Sequence, residues 1–503
     1  MSKIQEIFSL LQNATDEDRK LIQRAHDFAE HAHEGHERKS GESYFTHLFA
    51  TAKTLAELGM SATTISAGFL HDTIEDTGVT AEDIEKEFGK EILFLVEGVT
   101  KLGHIKYHGT SRHNESLRKL FVAMSQDIRV LIVKLCDRLH NMQTLEYVPK
   151  EKQLRIATET LEIYAPIAYR LGIRKLNREL EDLGFKYVYP AEYKKVSELF
   201  KQKQRTELEY LEKFNKSIKK ELAKEKIFDF QTDYRIKGLY SLYKKLKRKD
   251  MDIEKIHDIS ALRIIVPTIS DCYKILGIIH TAWRPLPGRI KDYIAFPKTN
   301  GYKSIHTTIF TGDGGIVEVQ IKTKEMYRES EYGIASHISY KQGGKTKGTI
   351  NPNLLWLQKL LPVNKHWNDT TEKKKTSRIQ DIPHWIQDLV EYQKEAGDEF
   401  IDDVKNDFFD ERIFVFTPKG DVIDLPRESG VIDFAYSIHS DVGNHMSGAK
   451  VNGKLVSLHT TLHNGDRVEI ETKKSAKPNY KWLEFCKTTM AKRHINHYLE
   501  SKK

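Results

Sequence analysis

Apolar residues recur at i, i+3, i+4 from Ile4 to about Phe185, as in IQRAHDFAEHAH, LFATAKTLAELG, TISAGFLHDTIEDT and RVLIVKLCDRLHNMQTL. Polar breaks such as SGES and HGTSRHNES separate these runs, so the pattern predicts an all-α domain over residues 1–186. Helical spacing continues through residues 187–230, where Lys and Glu pair at i, i+4. That predicts solvated helices linking two domains. At about Asp233 the period shortens. DISALRIIVPT, DYIAFPK, IHTTIFTG and GIVEVQIKT are short β-branched runs set among helices such as DCYKILGIIHTAW, which predicts an α/β or α+β domain over 231–341. Residues 342–408 read as a connector followed by helix. Residues 409–474 alternate as a small β-grasp-like module with Lys-Gly and Asn-Gly hairpin turns, and 475–503 end the chain as basic helix.

Composition narrows the class. A chain of 503 residues is too long for one core, and 39% hydrophobic with 30% charged residues is globular. No apolar run approaches the roughly 20 residues that span a bilayer. The N-terminus carries acids instead of a signal-peptide core, so the expectation is a soluble, cytoplasmic protein. Cys136, Cys272 and Cys486 stand far apart, which indicates neither a disulfide framework nor a thiolate zinc site. The net charge of +8 permits an anionic ligand or RNA without requiring one.

Within the helical domain, His47, the adjacent His71-Asp72 and Asp137 offer imidazole and carboxylate ligands. Such a set suits Mn²⁺, Fe²⁺ or Zn²⁺. A lone His-Asp pair is an ordinary surface cap. The order His, His-Asp, Asp inside one helical domain is the pattern of HD-type metal phosphohydrolases. Asp137 also ends the apolar run VLIVKL, where an unpaired carboxylate would be costly. Glu75 and Asp76, one turn beyond, are either plain acids before a turn or groups that orient and deprotonate a water. Arg38, Lys39, Asn141 and Thr144 are candidates to hold a nucleotide.

In the second domain RIKDYIAFPKTNGYKSIH sets Arg289, Lys291, Lys298 and Lys303 among tyrosines. Fixed cations beside aromatic planes suit a polyphosphate with an attached base, although a solvated basic loop has the same composition. Asp258 and Glu318 are carboxylates before and inside strands. They read as a Mg²⁺ pair against a triphosphate, or as cross-strand ion pairs. Arg235, Lys237 and Lys245 add cations at the entry to the domain.

Several long motifs then carry a resemblance: RKSGESYFTH, AGFLHDTIEDT, EGVTKL, KLCDRLHNMQTL, APIAYRLGI, DISALRII, PGRIKDYIAFPKTNGYKSIH, VEVQIKT, EYGIASHISYK and FVFTPKGDVIDLP. The chain resembles, over nearly its whole length, the long RelA/SpoT-type enzymes that make and hydrolyse (p)ppGpp. The resemblance implies an HD hydrolase domain, a nucleotidyltransferase-like synthetase domain and a TGS domain, with most of the C-terminal regulatory region missing. It implies Mn²⁺ on His47, His71, Asp72 and Asp137, with Glu75 and Asp76 activating water and Arg38, Lys39, Asn141 and Thr144 on the nucleotide. It further implies Mg²⁺ on Asp258 and Glu318, with ATP as donor and the 3′-OH of GDP or GTP as acceptor. Arg235, Lys237, Lys245, Arg263, Arg289, Lys291, Lys298, Asn300, His306 and Gln320 would bind the nucleotides, and Tyr302 would stack on guanine. His439 would mark a contact with uncharged tRNA, and so with the ribosome. A hydrolase with a purely regulatory second domain is the alternative. Gly238, Tyr234, Lys303 and Leu48 depart from the family's usual His, Gly, Gln and Pro. The tetrad Arg289-Ile290-Lys291-Asp292 resembles the basic form found in bifunctional members.

Overall fold

The computed structural model describes residues 3–11, 14–103, 127–256, 259–297, 302–311, 315–336, 412–420, 422–463 and 465–500. They belong to two compact units. One holds the helical domain and a five-stranded sheet, the other the C-terminal module. No described helix is long and apolar enough to cross a membrane.

The helical domain runs through α1 (Lys3–Leu10), α2 (Asp16–Ala32), α3 (Phe45–Glu57), α4 (Ala62–Leu70), α5 (Thr73–Asp76), α6 (Ala81–Phe88), α7 (Lys90–Gly103) and α8 (Ile128–Gln143). Thr15 and Thr80 start α2 and α6 with capping boxes closed by Asp18 and Asp83. Most of α8 is buried, including Asp137, which it carries into the interior. Gly68 on α4 faces α3: a Cβ there would meet Ala52 Cα at 3.4 Å and run into the Leu55 side chain. The missing side chain lets the two helices close, and His71 follows α4 directly.

Next come α9 (Lys150–Glu159), a π turn (Thr160–Tyr164), α10 (Ala165–Arg170), α11 (Arg174–Val188) and α12 (Pro190–Lys224). The run expected to be solvated linker is largely this single helix of 35 residues. Its distal half buries Leu211, Phe214, Ile218 and Leu222 against the sheet. Each such burial stabilises by about 1.5–3 kcal/mol, against about 0.2–0.5 kcal/mol for a surface i, i+4 ion pair. Four apolar residues on one stripe therefore outweigh the more numerous charges, and the helix belongs to the sheet domain.

Strands β1 (Gln231–Ile236), β2 (Ser260–Val266), β3 (Lys291–Asp292), β4 (Ile305–Phe310) and β5 (Ile316–Thr323) form the sheet in the order β1-β2-β5-β4-β3. Only β2 and β5 pair in parallel. Helices α13 (Leu239–Lys247), α14 (Ile269–Ala282) and α15 (Lys324–Tyr332) complete the domain. The predicted strand DYIAFPK shrinks to β3, because Asp292 Oδ1 accepts the Ile294 and Ala295 amides, both at 2.9 Å, and turns the chain out of the ladder.

The helical and sheet domains meet where Ile334 N donates to Leu171 O at 3.0 Å. Gly333 makes this approach possible. Its φ is +52°, and a Cβ would collide with the backbone of Leu171 and Gly172. Gly333→Ala is expected to cost about 1–3 kcal/mol. A urea-unfolding midpoint equal to that of the wild type would contradict this account of the contact.

The four positions expected to depart from the family pattern have structural counterparts. A Cβ on Gly238 would lie 3.0 Å from both Asp182 carboxylate oxygens and from Arg178 Cγ, so α11 occupies the space a histidine would need. Asn215 Nδ2 donates to Tyr234 Oη at 3.0 Å, tying β1 to α12. Leu48 is core, and Lys303 pairs with Glu329 at 3.4 Å.

In the second unit, β6 (Arg412–Phe416) and β7 (Val422–Pro426) form a hairpin. Helices α16 (Val431–Ile438) and α17 (Ser440–Asn444) follow, then a sheet of β8 (Met446–Val451), β9 (Lys454–Val456) and β10 (Val468–Thr472). The predicted Asn-Gly turn joins β8 to β9, with φ +52° at Asn452 and +80° at Gly453. The closing segment, α18 (Trp482–Phe485) and α19 (Thr489–Glu500), packs Trp482, Cys486, Ala491 and Ile495 into this module's core. Buried Asp433 fastens it, accepting from the Lys487 and Thr488 amides and from Thr488 Oγ1.

Candidate active sites

The first site lies where α3, α8 and the α4–α5 junction converge. His47, His71 and Asp137 are buried, and one ligand atom from each lies within 4.8 Å of the others. Asp72 closes the group, with Oδ2 3.2 Å from His71 Nε2 and 3.5 Å from His47 Nε2. Asp137 Oδ1 lies 3.2 Å from His47 Nε2. His71 Nδ1 is taken by Gly68 O at 2.8 Å, which leaves a buried Nε2 without a hydrogen-bond partner. His47 Nδ1 lies 2.9 Å from His140 Nδ1, which also receives Arg38 Nη1 at 3.1 Å. Burial, then His47 and Arg38, push His140 down to about 3, so it stays neutral and accepts. His47 then donates through Nδ1 and points a lone pair inward from Nε2. Two imidazole lone pairs and two carboxylates facing one point, one nitrogen already stripped of partners, fit a divalent transition-metal ion.

The two carboxylates favour a positive charge at this point, which a metal ion would supply in place of an imidazolium proton. Burial disfavours a charged His71, yet Asp72 and Asp137 raise it to about 9. Burial likewise opposes ionised Asp137, but Lys134, with Nζ 2.7 Å from Oδ2, and the two histidines hold its carboxyl well below the usual range. The predicted nucleotide residues gather at the rim. Arg38 Nη2 donates to Asn141 Oδ1 at 2.8 Å and reaches Thr144 Oγ1 at 3.4 Å, and Asn141 Nδ2 donates to Asp137 Oδ1. Lys39 is exposed nearby in sequence, and Glu75 and Asp76 are exposed on α5. Sequence reasoning missed Tyr44, whose hydroxyl lies 2.9 Å from Asp72 Oδ2 and 2.6 Å from Asp76 Oδ2, within reach of both carboxylates. It also missed Lys134 and His140. Their spacing from Asp137, three residues on either side, was the available signal.

The second site is one face of the five-stranded sheet. Strand register aligns Asp233, Arg263, Gln320, His306 and Lys291 in a row across all five strands, and Arg235, Ala261, Glu318 and Thr308 in the next row. Alternation sends Leu262, Ile264, Val317, Val319 and Ile321 to the opposite face and the core. Glu318 Oε1 lies 2.7 Å from Gln320 Nε2 and 3.2 Å from His306 Nδ1. Burial would raise its pKa, but His306, Gln320 and Arg235 bring it down to about 2, so the carboxylate is ionised. Arg263 lies between Asp233 (3.2 Å) and Glu331 (3.3 Å), over the Tyr327 ring. Lys237 is buried, while Lys245, Arg289 and Lys291 are exposed. Asp258, Lys298 and Asn300 lie outside the described residues, as do the calls for residues 342–408.

Tyr302 is 4% exposed. Arg174, at the start of α11 in the helical domain, lays its guanidinium 4.1 Å over the ring, on the platform expected for guanine. His439, in the separate C-terminal unit, is 59% exposed in its side chain and caps α17 by accepting the Asp441 amide at 3.1 Å.

Three family models match the chain in order: "HD domain" over residues 25–174, "Region found in RelA / SpoT proteins" over 234–345 and "TGS domain" over 413–472. A protein from Escherichia coli (strain K12), the "Bifunctional (p)ppGpp synthase/hydrolase SpoT", is 40% identical over 507 residues, covering 100% of this chain and 68% of that protein. The chain belongs to the RelA/SpoT family. A RelA/SpoT relative from Aquifex aeolicus (strain VF5), "Guanosine-3′,5′-bis(diphosphate) 3′-pyrophosphohydrolase", is 44% identical over 95% of this chain. One from Myxococcus xanthus, "GTP pyrophosphokinase", is 43% identical over 96%. The chain spans 64% and 61% of those two proteins. The RelA/SpoT domains thus coincide with the helical domain, the sheet domain and the C-terminal module.

Proposed function

We propose that the chain is a bifunctional alarmone enzyme serving the stringent response. At the sheet site it transfers the β,γ-pyrophosphate of ATP to the 3′-OH of GDP or GTP and releases AMP. At the HD site it splits (p)ppGpp into GDP or GTP and pyrophosphate. The observation that carries this reading is one compact unit with two separate polar centres. One is built of histidine and carboxylate ligands, the other is a cation-lined sheet face around an ionised glutamate.

For hydrolysis, His47, His71, Asp72 and Asp137 would hold a divalent ion, Mn²⁺ in our reading, which would supply Lewis acidity toward phosphate and water. Arg38, Asn141 and Thr144 orient the nucleotide, with Lys39 as a further cation. Glu75 and Asp76 stand at the edge of the site to take the proton of the attacking water. For synthesis, Glu318 accepts the proton of the 3′-OH as its oxygen attacks the β-phosphorus of ATP and AMP leaves. Arg235, Lys237, Lys245, Arg263, Arg289, Lys291 and Lys298 offset the charge that shifts along the triphosphate. Glu318 with Asp258 would hold Mg²⁺. Through its exposed His439 the TGS domain would meet uncharged tRNA, in the ribosome's setting. The test is a pair of thin-layer assays on the purified chain, with labelled ATP plus GDP and with ppGpp plus Mn²⁺. Activity in neither assay would end the proposal.

The hydrolase-only reading has one observation in its favour: Arg174 covers Tyr302. We read this as a resting arrangement in which the HD domain holds the acceptor platform shut. A desolvated cation over an aromatic ring is worth about 1–2 kcal/mol. Arg174→Ala is accordingly expected to lower the acceptor KM for synthesis by about five- to thirtyfold, at 1.4 kcal/mol per tenfold. An unchanged KM for GDP would refute the shutter.

A further inference from the structure

Strand β5 carries Glu318, Gln320 and Lys322 on one face, since side chains alternate and these positions are two apart. The first two belong to the sheet site. Lys322 has no part in the scheme above, and it is 1% exposed. Its amine donates to Tyr302 Oη at 3.3 Å and to Ser330 Oγ at 3.4 Å. Among the described residues no carboxylate pairs with it within 4.0 Å. An amine buried against two hydroxyls is costly to fold around in either protonation state, whereas a methionine of similar length would pack there without that cost.

The hydrogen bonds leading away from the amine give it a use. Tyr302 Oη, already receiving Lys322, has one proton left to give, and His306 Nε2 lies 2.7 Å away. With Nε2 accepting, the His306 proton resides on Nδ1, which lies 3.2 Å from Glu318 Oε1. Donor order is therefore consistent from end to end: Lys322 to Tyr302, Tyr302 to His306, His306 to Glu318. Were Tyr302 instead to receive from His306 Nε2, Nδ1 would turn a lone pair toward the carboxylate and repel it. Burial, Arg263 and Arg174 also push the Lys322 pKa well down, with Glu331 opposing, and a neutral amine still has two N–H groups to give.

The geometry points to Lys322 as a positioning residue of the pyrophosphate-transfer site, holding Tyr302 Oη so that His306 presents its Nδ1–H to Glu318. This rests on the synthetase reading, with Glu318 as the proton acceptor. Lys322→Met is expected to lower kcat for synthesis by about ten- to hundredfold, the usual cost of removing a partner that orients a reacting group. Hydrolysis of ppGpp by the same protein should be unchanged, which also reports that it is folded. Lys322→Arg keeps a donor and should recover most of the rate. Tyr302→Phe keeps the ring and loses Oη, so adding Lys322→Met to it should cost less than about twofold more, because both changes break one chain. A Lys322→Met enzyme that synthesises as fast as the wild type overturns the inference alone. So does a full Lys322→Met penalty in the Tyr302→Phe background. A wild-type chain that makes no product from ATP and GDP overturns the synthetase reading, and this inference with it.

Discussion

Asp72→Ala is expected to reduce ppGpp hydrolysis at least about a thousandfold while synthesis from ATP and GDP persists. A divalent ion contributes several kcal/mol of charge stabilisation, and each 1.36 kcal/mol is tenfold in rate. Asp72 is the carboxylate to remove because its neighbours survive the loss. Its Oδ2 faces His71 and His47, and Tyr44 can turn its hydroxyl to Asp76. Asp137 would be a poor choice: half-buried Lys134 depends on it at 2.7 Å, so its removal would strand a largely desolvated charge and destabilise the domain by up to about 3 kcal/mol. Hydrolysis is read by release of pyrophosphate from ppGpp with Mn²⁺, and synthesis by labelled ppGpp formed from ATP. Loss of both activities in this variant would argue against two independent centres.

Glu318→Gln is expected to give the mirror image, with synthesis down about 10²- to 10⁴-fold, the range for a general base, and hydrolysis intact. The amide keeps the shape and an acceptor oxygen, so Gln320 and His306 can still donate to it. What disappears is the negative charge, which His306, Gln320 and Arg235 keep ionised at a pKa of about 2. Because that value lies far below neutrality, Glu318 is charged across the ordinary assay range. An acid limb near pH 7 in the synthesis rate would therefore have to come from another group. A Glu318→Gln chain that synthesises at the wild-type rate would remove Glu318 from the chemistry.

Arg174 and Tyr302 tie these two results together. Arg174 begins the helix that follows the Leu171–Gly172 turn, and Ile334 and Gly333 of the sheet domain pack on that turn. Arg174→Ala tests the cover, and Gly333→Ala tests the turn on which it stands.

Much of this molecule was written locally. Helical periodicity carried the N-terminal domain, and the Asn452-Gly453 hairpin was legible because a type I′ turn needs two positive φ angles. His47, His71, Asp72 and Asp137 could be nominated because those side chains are chemically conspicuous against apolar helices. Local patterns failed where an opposing local signal was stronger to the eye but weaker in energy. Charges hid the buried stripe of Leu211, Phe214, Ile218 and Leu222, and strand-favouring Tyr293, Ile294 and Phe296 hid the Asp292 turn. Tyr44 and Lys322 carry no signature of their own, since each matters through the group it touches.

Strand register alone set Asp233, Arg263, Gln320, His306 and Lys291 in one row, because pairing partners in a sheet are chosen by the packing of its other face. Contact between two domains alone laid Arg174 on Tyr302. The sequence determined which chemical groups this protein possesses and on which elements they ride. Tertiary structure decided which of them meet, because hydrogen bonds and cation–π contacts act over a few ångströms of space, whatever the separation along the chain.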